Sequence, residues 1–66
     1  MNDKHEIVTL TYDSIKAESG MAWLFDFGGE ECWLPKSQVE DIRETSKEVD
    51  LPLWLVISDQ LEGYIT

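Results

Sequence analysis

The pair Gly28-Gly29, set between Met21-Ala22-Trp23-Leu24-Phe25-Asp26-Phe27 and Glu30-Glu31-Cys32-Trp33-Leu34, constrains the fold more than any other stretch of the chain. Two consecutive glycines both tolerate positive φ, which a two-residue primed turn demands and few other residue pairs supply. The flanking runs are apolar and of strand length, so the segment predicts a β-hairpin. Counting outward from the turn sets its register: Phe27 faces Glu30, Asp26 faces Glu31, Phe25 faces Cys32, Leu24 faces Trp33 and Trp23 faces Leu34. Successive strand residues point to opposite faces, which gathers Trp23, Phe25, Phe27, Cys32 and Leu34 on a core side. Leu24 and Trp33 share the other side with Asp26 and Glu31, a mixture that calls for partial cover or marks a contact surface.

The remaining segments are read against that hairpin. Val8, Leu10 and Tyr12 alternate with Thr9, Thr11 and Asp13, which predicts a first strand that bends at Asp13-Ser14, resumes through Ile15 and Ala17, and ends at Ser19-Gly20. Ser37-Gln38-Val39-Glu40 has capping-box spacing, but Val39 and Ile42 make a thin apolar stripe, so residues 37–48 read as a short helical turn or as a further strand. Arg43 to Glu48 is poor in apolar residues and reads as a loop. Pro52 suits a first helical position, Leu53, Trp54, Ile57 and Leu61 recur at helical spacing, and Gly63 is placed to cap, which predicts a helix from Pro52 to Glu62. Val56 and Ile57 keep a strand there as the competing reading. The expected fold class is α+β: a small antiparallel sheet of three to four strands with a C-terminal helix packed on it.

Length and charge narrow the function. At 66 residues the chain is expected to be one domain, 1–66, with 1–5 flexible, and to bury only roughly 60% of its unfolded surface. Fourteen Asp and Glu against five Lys and Arg give a net charge of -9, and such a chain is repelled by phosphates, so neither direct nucleic-acid binding nor an anionic membrane is expected. The longest uninterrupted apolar run near the C-terminus, Leu53 to Ile57, is far short of the ~20 residues a spanning helix needs. The polar start lacks the pattern of a secretory signal, which makes the cytoplasm the expected location. Its 42% hydrophobic content, including three Trp, is too high for a disordered acidic tail.

Catalytic chemistry finds little to work with. The single histidine, His5, lies in the terminus as a surface residue, while Cys32 falls on the core side and reads as a small buried hydrophobe, so no thiol nucleophile meets a base. A closed structural zinc site wants four Cys or His ligands and the chain has two such residues. Asp26, Glu30 and Glu31 surround the hairpin tip and have the chemistry to hold a hard cation or pair as acid and base, but an open turn gives no desolvation to raise a carboxyl pKa. No cofactor and no enzymatic activity are expected.

Eight acids fall between residues 26 and 50: Asp26, Glu30, Glu31, Glu40, Asp41, Glu44, Glu48 and Asp50. Were residues 38–48 helical, Glu40, Glu44 and Glu48 would line one face at a cost from like-charge repulsion. The plain reading is a surplus of acids for solubility. The functional reading is a negative field offered to a basic partner, with Trp33 as its apolar anchor; Trp54 reads mainly as a packing residue. The candidate partner-binding residues are therefore Asp26, Glu30, Glu31, Trp33, Glu40, Asp41, Glu44 and Glu48.

Glu31-Cys32-Trp33-Leu34-Pro35-Lys36-Ser37-Gln38-Val39 and Leu51-Pro52-Leu53-Trp54-Leu55 resemble segments of small acidic proteins encoded by bacteriophages and prophages. In size, acidity and lack of catalytic groups the chain also looks like anti-CRISPR proteins. That resemblance implies an inhibitor that occupies the basic DNA-binding surface of a host complex, such as a Cas effector, from within the host cytoplasm. The alternative is an accessory module, monomer or small homo-oligomer, that assembles with itself or with a phage protein through the Leu24/Trp33 face.

Overall fold

The computed structural model describes residues 6–66; the expectations for residues 1–5, His5 among them, lie outside the described residues. Among the described residues there are six strands, β1 (Ile7–Thr11), β2 (Ser14–Glu18), β3 (Ala22–Asp26), β4 (Glu31–Pro35), β5 (Asp41–Arg43) and β6 (Glu48–Pro52), followed by helix α1 (Leu53–Ser58). The α+β expectation holds, with the strands divided between two antiparallel sheets of three, ordered β1-β6-β5 and β2-β3-β4.

The division follows from the bend the alternation predicts. The Tyr12 N–H donates to the Lys47 carbonyl at 2.9 Å, extending the pairing of β1 with β6, whereas the Asp13 N–H donates to the Asp26 carbonyl at 2.7 Å, extending that of β2 with β3. The chain thus changes sheets between two adjacent residues. Tyr12 is buried at this corner, its ring edge-on to Phe25 at 5.1 Å between centroids. After β4 the chain returns to the first sheet through a 3-10 turn, Lys36–Gln38. Leu10, Val49 and Leu51 from one sheet meet Phe25 and Leu34 from the other, and Leu55, Val56 and Leu61 close the core.

The β3–β4 register agrees with the sequence count at every pair from Trp23↔Leu34 to Asp26↔Glu31, and Gly28 and Gly29 take φ of 92° and 110°. Residues 37–48 differ from a helix. Ser37 lies inside the 3-10 turn with no side-chain cap, and Asp41–Arg43 pairs with Glu48–Asp50 as a second hairpin. Alternating Asp41-Ile42-Arg43 and Glu48-Val49-Asp50 place Ile42 and Val49 opposite each other on the inner face, a period-two pattern that buries what a helical stripe would leave thin.

The C-terminal helix is present but shorter than expected, and it buries a different face. Leu55 and Val56 point inward, whereas Trp54 is 46% exposed and Ile57 faces solvent, so Trp54 is not a core residue. Gly63 does not cap it. Gln60 takes the left-handed conformation at φ 60°, its N–H reaching the Ile57 carbonyl at 3.1 Å while the Leu61 N–H reaches that of Val56 at 2.8 Å. These two bonds form a Schellman motif, and its apolar contact joins Val56 and Leu61, both fully buried. Burying Leu61 fixes where the helix must stop.

Candidate protein-interaction surface

The outer faces of the two sheets carry the predicted binding residues, and they differ in chemistry. On β1-β6-β5, Thr9, Asp50 and Asp41 form one row across the strands and Thr11, Glu48 and Arg43 the next. Asp50 and Asp41 stand directly opposite, a pairing that like charges disfavour. Arg43 resolves it: its guanidinium donates to Asp50 through Nη2 (2.7 Å) and Nη1 (3.1 Å), to Asp41 through Nη1 (2.8 Å) and to Glu48 through Nε (3.4 Å). Thr9 Oγ1 adds a bond to Asp50 at 2.7 Å. The Arg43 and Thr9 bonds hold the Asp50 carboxyl below its ordinary pKa, and the carboxylates, Asp50 first, push that of Arg43 up.

On β2-β3-β4 the corresponding rows are Ala17, Leu24 and Trp33, then Ala22 and Pro35. Trp33 is 49% exposed. This is an apolar strip bounded at the turn end by Ser14, Asp26 and Glu31. A β-bulge leaves Lys16 as the extra residue of β2, and its ammonium lies 3.3 Å from Glu31 and 4.0 Å from Asp26. Asp26 is chiefly a turn residue, since Oδ1 accepts the N–H groups of Gly28 (2.9 Å) and Gly29 (2.8 Å). Those bonds, Gly29's foremost, hold its carboxyl below the usual range.

The predicted acids therefore do not share one face. Asp26 and Glu31 gather around Lys16, and Asp41 and Glu48 around Arg43 with Asp50. Glu30 accepts from the Tyr64 hydroxyl at 3.1 Å, which raises the pKa of that phenol, and the Tyr64 ring stacks on Phe27 at 5.1 Å. Glu40 precedes β5, and Glu44 lies in the β5–β6 turn beside an open cleft of about 370 Å³ lined also by Tyr12, Ser14, Ile15 and Lys47. The helical ladder of Glu40, Glu44 and Glu48 is absent, because the three fall before a strand, in a turn and at the start of the next strand.

Lys16, Arg43, Asp50 and Tyr64 complete the site and escaped the sequence reading as site residues. Opposite charges placed symmetrically about the 44–47 turn, Arg43 against Glu48, were the available signal. Cys32 points toward the inner face, half-buried, its Sγ 3.4 Å from Asp59 Oδ2; burial first, then Asp59, pushes the thiol up to about 11. It is protonated and a poor nucleophile at neutral pH.

Among the described residues no group of three His, Cys, Asp or Glu is arranged to hold a metal ion, and no helix is long and apolar enough to cross a membrane. No protein-family model, curated protein or solved structure matches this chain.

Proposed function

We propose that this chain is a non-enzymatic inhibitor, encoded by a phage or mobile element, that uses its negative field to occupy the basic nucleic-acid-binding surface of a host protein complex, a Cas effector being one such target. The observation that carries this reading is how the cations are disposed. Lys16 faces Glu31 and Asp26, Lys36 pairs with Glu18 while lying 5.0 Å over the Trp23 ring, Arg43 holds Asp41, Glu48 and Asp50, and Lys47 donates to the Asp13 carbonyl at 2.8 Å. Each described cation is bound by the chain's own acceptors, while Glu30, Glu40, Glu44 and Glu62 are exposed and in no ion pair among the described residues. With a net charge of -9, the field seen from outside has one sign, and such a field steers and selects a basic partner.

The test is capture from bacterial lysate at low and high salt, with the natural chain and with Glu30→Lys, Glu40→Lys and Glu44→Lys combined. Screening shortens from ~10 Å at 0.1 M to ~3 Å at 1 M, so a nucleic-acid-handling partner held by charge is released by salt and missed by the variant. Retention of that partner by the charge-reversed chain contradicts the reading.

The outer apolar row Ala17, Leu24 and Trp33 favours a second reading, an accessory module that assembles through this face. Trp33→Ala then disperses the assembly in sedimentation, whereas the charge variants leave it intact.

A further inference from the structure

The two sheets have four edges, and proteins guard such edges because unpaired N–H and C=O groups recruit other strands. The β1 edge is covered: the Thr66 N–H donates to the Thr9 carbonyl at 2.9 Å and Ile65 bridges Leu10. The β2 edge is broken by the bulge at Lys16, and β5 is only three residues long. The β4 edge has none of these guards until Pro35 ends it.

Which groups β4 presents follows from its pairing with β3. The Phe27 N–H donates to Glu30 and the Lys36 N–H to Met21, both at 2.8 Å, so the pairs at both ends are hydrogen-bonded ones. Antiparallel ladders alternate, which makes Phe25↔Cys32 and Trp23↔Leu34 hydrogen-bonded and Asp26↔Glu31, Leu24↔Trp33 and Ala22↔Pro35 not. The N–H and C=O of Glu31 and Trp33 therefore point away from β3, and among the described residues no backbone group meets them, the Trp33 carbonyl taking only a long contact from the Cys32 thiol at 3.7 Å. Carboxylates flank this edge on both faces, Glu31 on the outer side and Asp59 on the inner side beside Cys32, and Trp33 stands half-exposed on the outer side.

We propose that β4 is a strand-addition site, and that its occupant is an extended, basic segment of the partner protein. Glu31 and Trp33 supply the main-chain bonds, Trp33 packs on the segment's apolar residues, and the carboxylates on both faces meet its Lys or Arg. A second copy is the poorer occupant, because it would bring two chains of net charge -9 edge to edge. The proposal rests on the basic-partner reading above and adds where that partner docks.

A synthetic peptide repeating Lys-Lys-Val-Val, which sets Lys and Val on both faces of an added strand, blocked at both ends, is the probe, with a Glu-Glu-Val-Val analogue as its control. The full chain is read by amide hydrogen exchange and by titration, beside a chemically synthesised chain carrying a methyl group on the Trp33 amide nitrogen. That methyl removes one outward donor and leaves every β3–β4 bond intact, so circular dichroism should match the natural chain. The expected result is slowed exchange at Glu31 and Trp33 on adding the Lys peptide, with affinity lost by about tenfold or more in the methylated chain. Salt-sensitive binding that leaves these two amides unprotected overturns the edge and spares the basic-partner reading. Equal binding of the Glu analogue with the amides protected overturns the basic partner. Protection that grows with protein concentration alone overturns both in favour of self-pairing.

Discussion

The two hairpins solve the same problem in opposite ways. In β5–β6 the carboxylates crowd one outer face and a single guanidinium, Arg43, binds three of them, so each is held by the same cation. In β3–β4 the corresponding cation comes from a bulge in the neighbouring strand and makes looser contacts, 3.3 and 4.0 Å, at one end only. The rest of that face is left to Ala17, Leu24 and Trp33, and its edge is open. Arginine's rigid fork suits closing a charge cluster, whereas a lysine ammonium acts as a point charge. The contrast teaches that surplus acid in a small domain is not one surface: Asp41, Glu48 and Asp50 are tied to one guanidinium and Asp26 and Glu31 to one ammonium, while Glu30, Glu40 and Glu44 stand outside both groups.

The largest expected effect comes from the core both hairpins share. Phe25 is fully buried, touches Tyr12 at the corner and stacks on Phe27 at 5.9 Å, so Phe25→Ala should cost about 3–5 kcal/mol, read as a fall in the urea midpoint. In a domain this small that loss removes most of the folded population. A loss below about 1 kcal/mol would mean the two sheets do not depend on one core.

Arg43→Met breaks the contrast itself. Asp50 has its pKa lowered from 3.8 in the folded chain, so its bonds stabilise above that value and their contribution is lost as pH falls through the folded pKa. The variant should be less stable than the natural chain at neutral pH, and the difference should close as pH drops below about 3.8, read from thermal midpoints. A gap that persists in acid would assign Arg43 a packing role through its stem. The smallest effect is at the helix end: Gln60→Gly relieves a left-handed conformation and should raise stability by about 0.5–1 kcal/mol in chemical denaturation.

The same contrast explains what the sequence shows. The β3–β4 hairpin is legible to the residue because Gly28 and Gly29 announce positive φ. The β5–β6 hairpin hides its turn, since the left-handed position is Lys47, at φ 59°, a residue that does not advertise it. The bend after Tyr12 is visible in the alternation, but that its two sides join different sheets depends on partners more than ten residues away, Lys47 and Asp26. Likewise, the acids between 26 and 50 are obvious by counting, whereas the sorting of five of them into two cation-centred groups follows from strand register. The helix was legible in kind, and its face and end were not, because Gln60 and not Gly63 ends it so that Leu61 can be buried.

The central claim is that this surface stands in for a nucleic acid, and competition tests it most directly. A nucleic-acid-handling complex recovered in the lysate capture would be titrated with labelled duplex DNA in the presence and absence of saturating chain. Mutual exclusion, with DNA released in proportion to chain bound and the Glu30, Glu40 and Glu44 reversals releasing none, is the predicted result. A stable assembly holding chain and DNA together would contradict it.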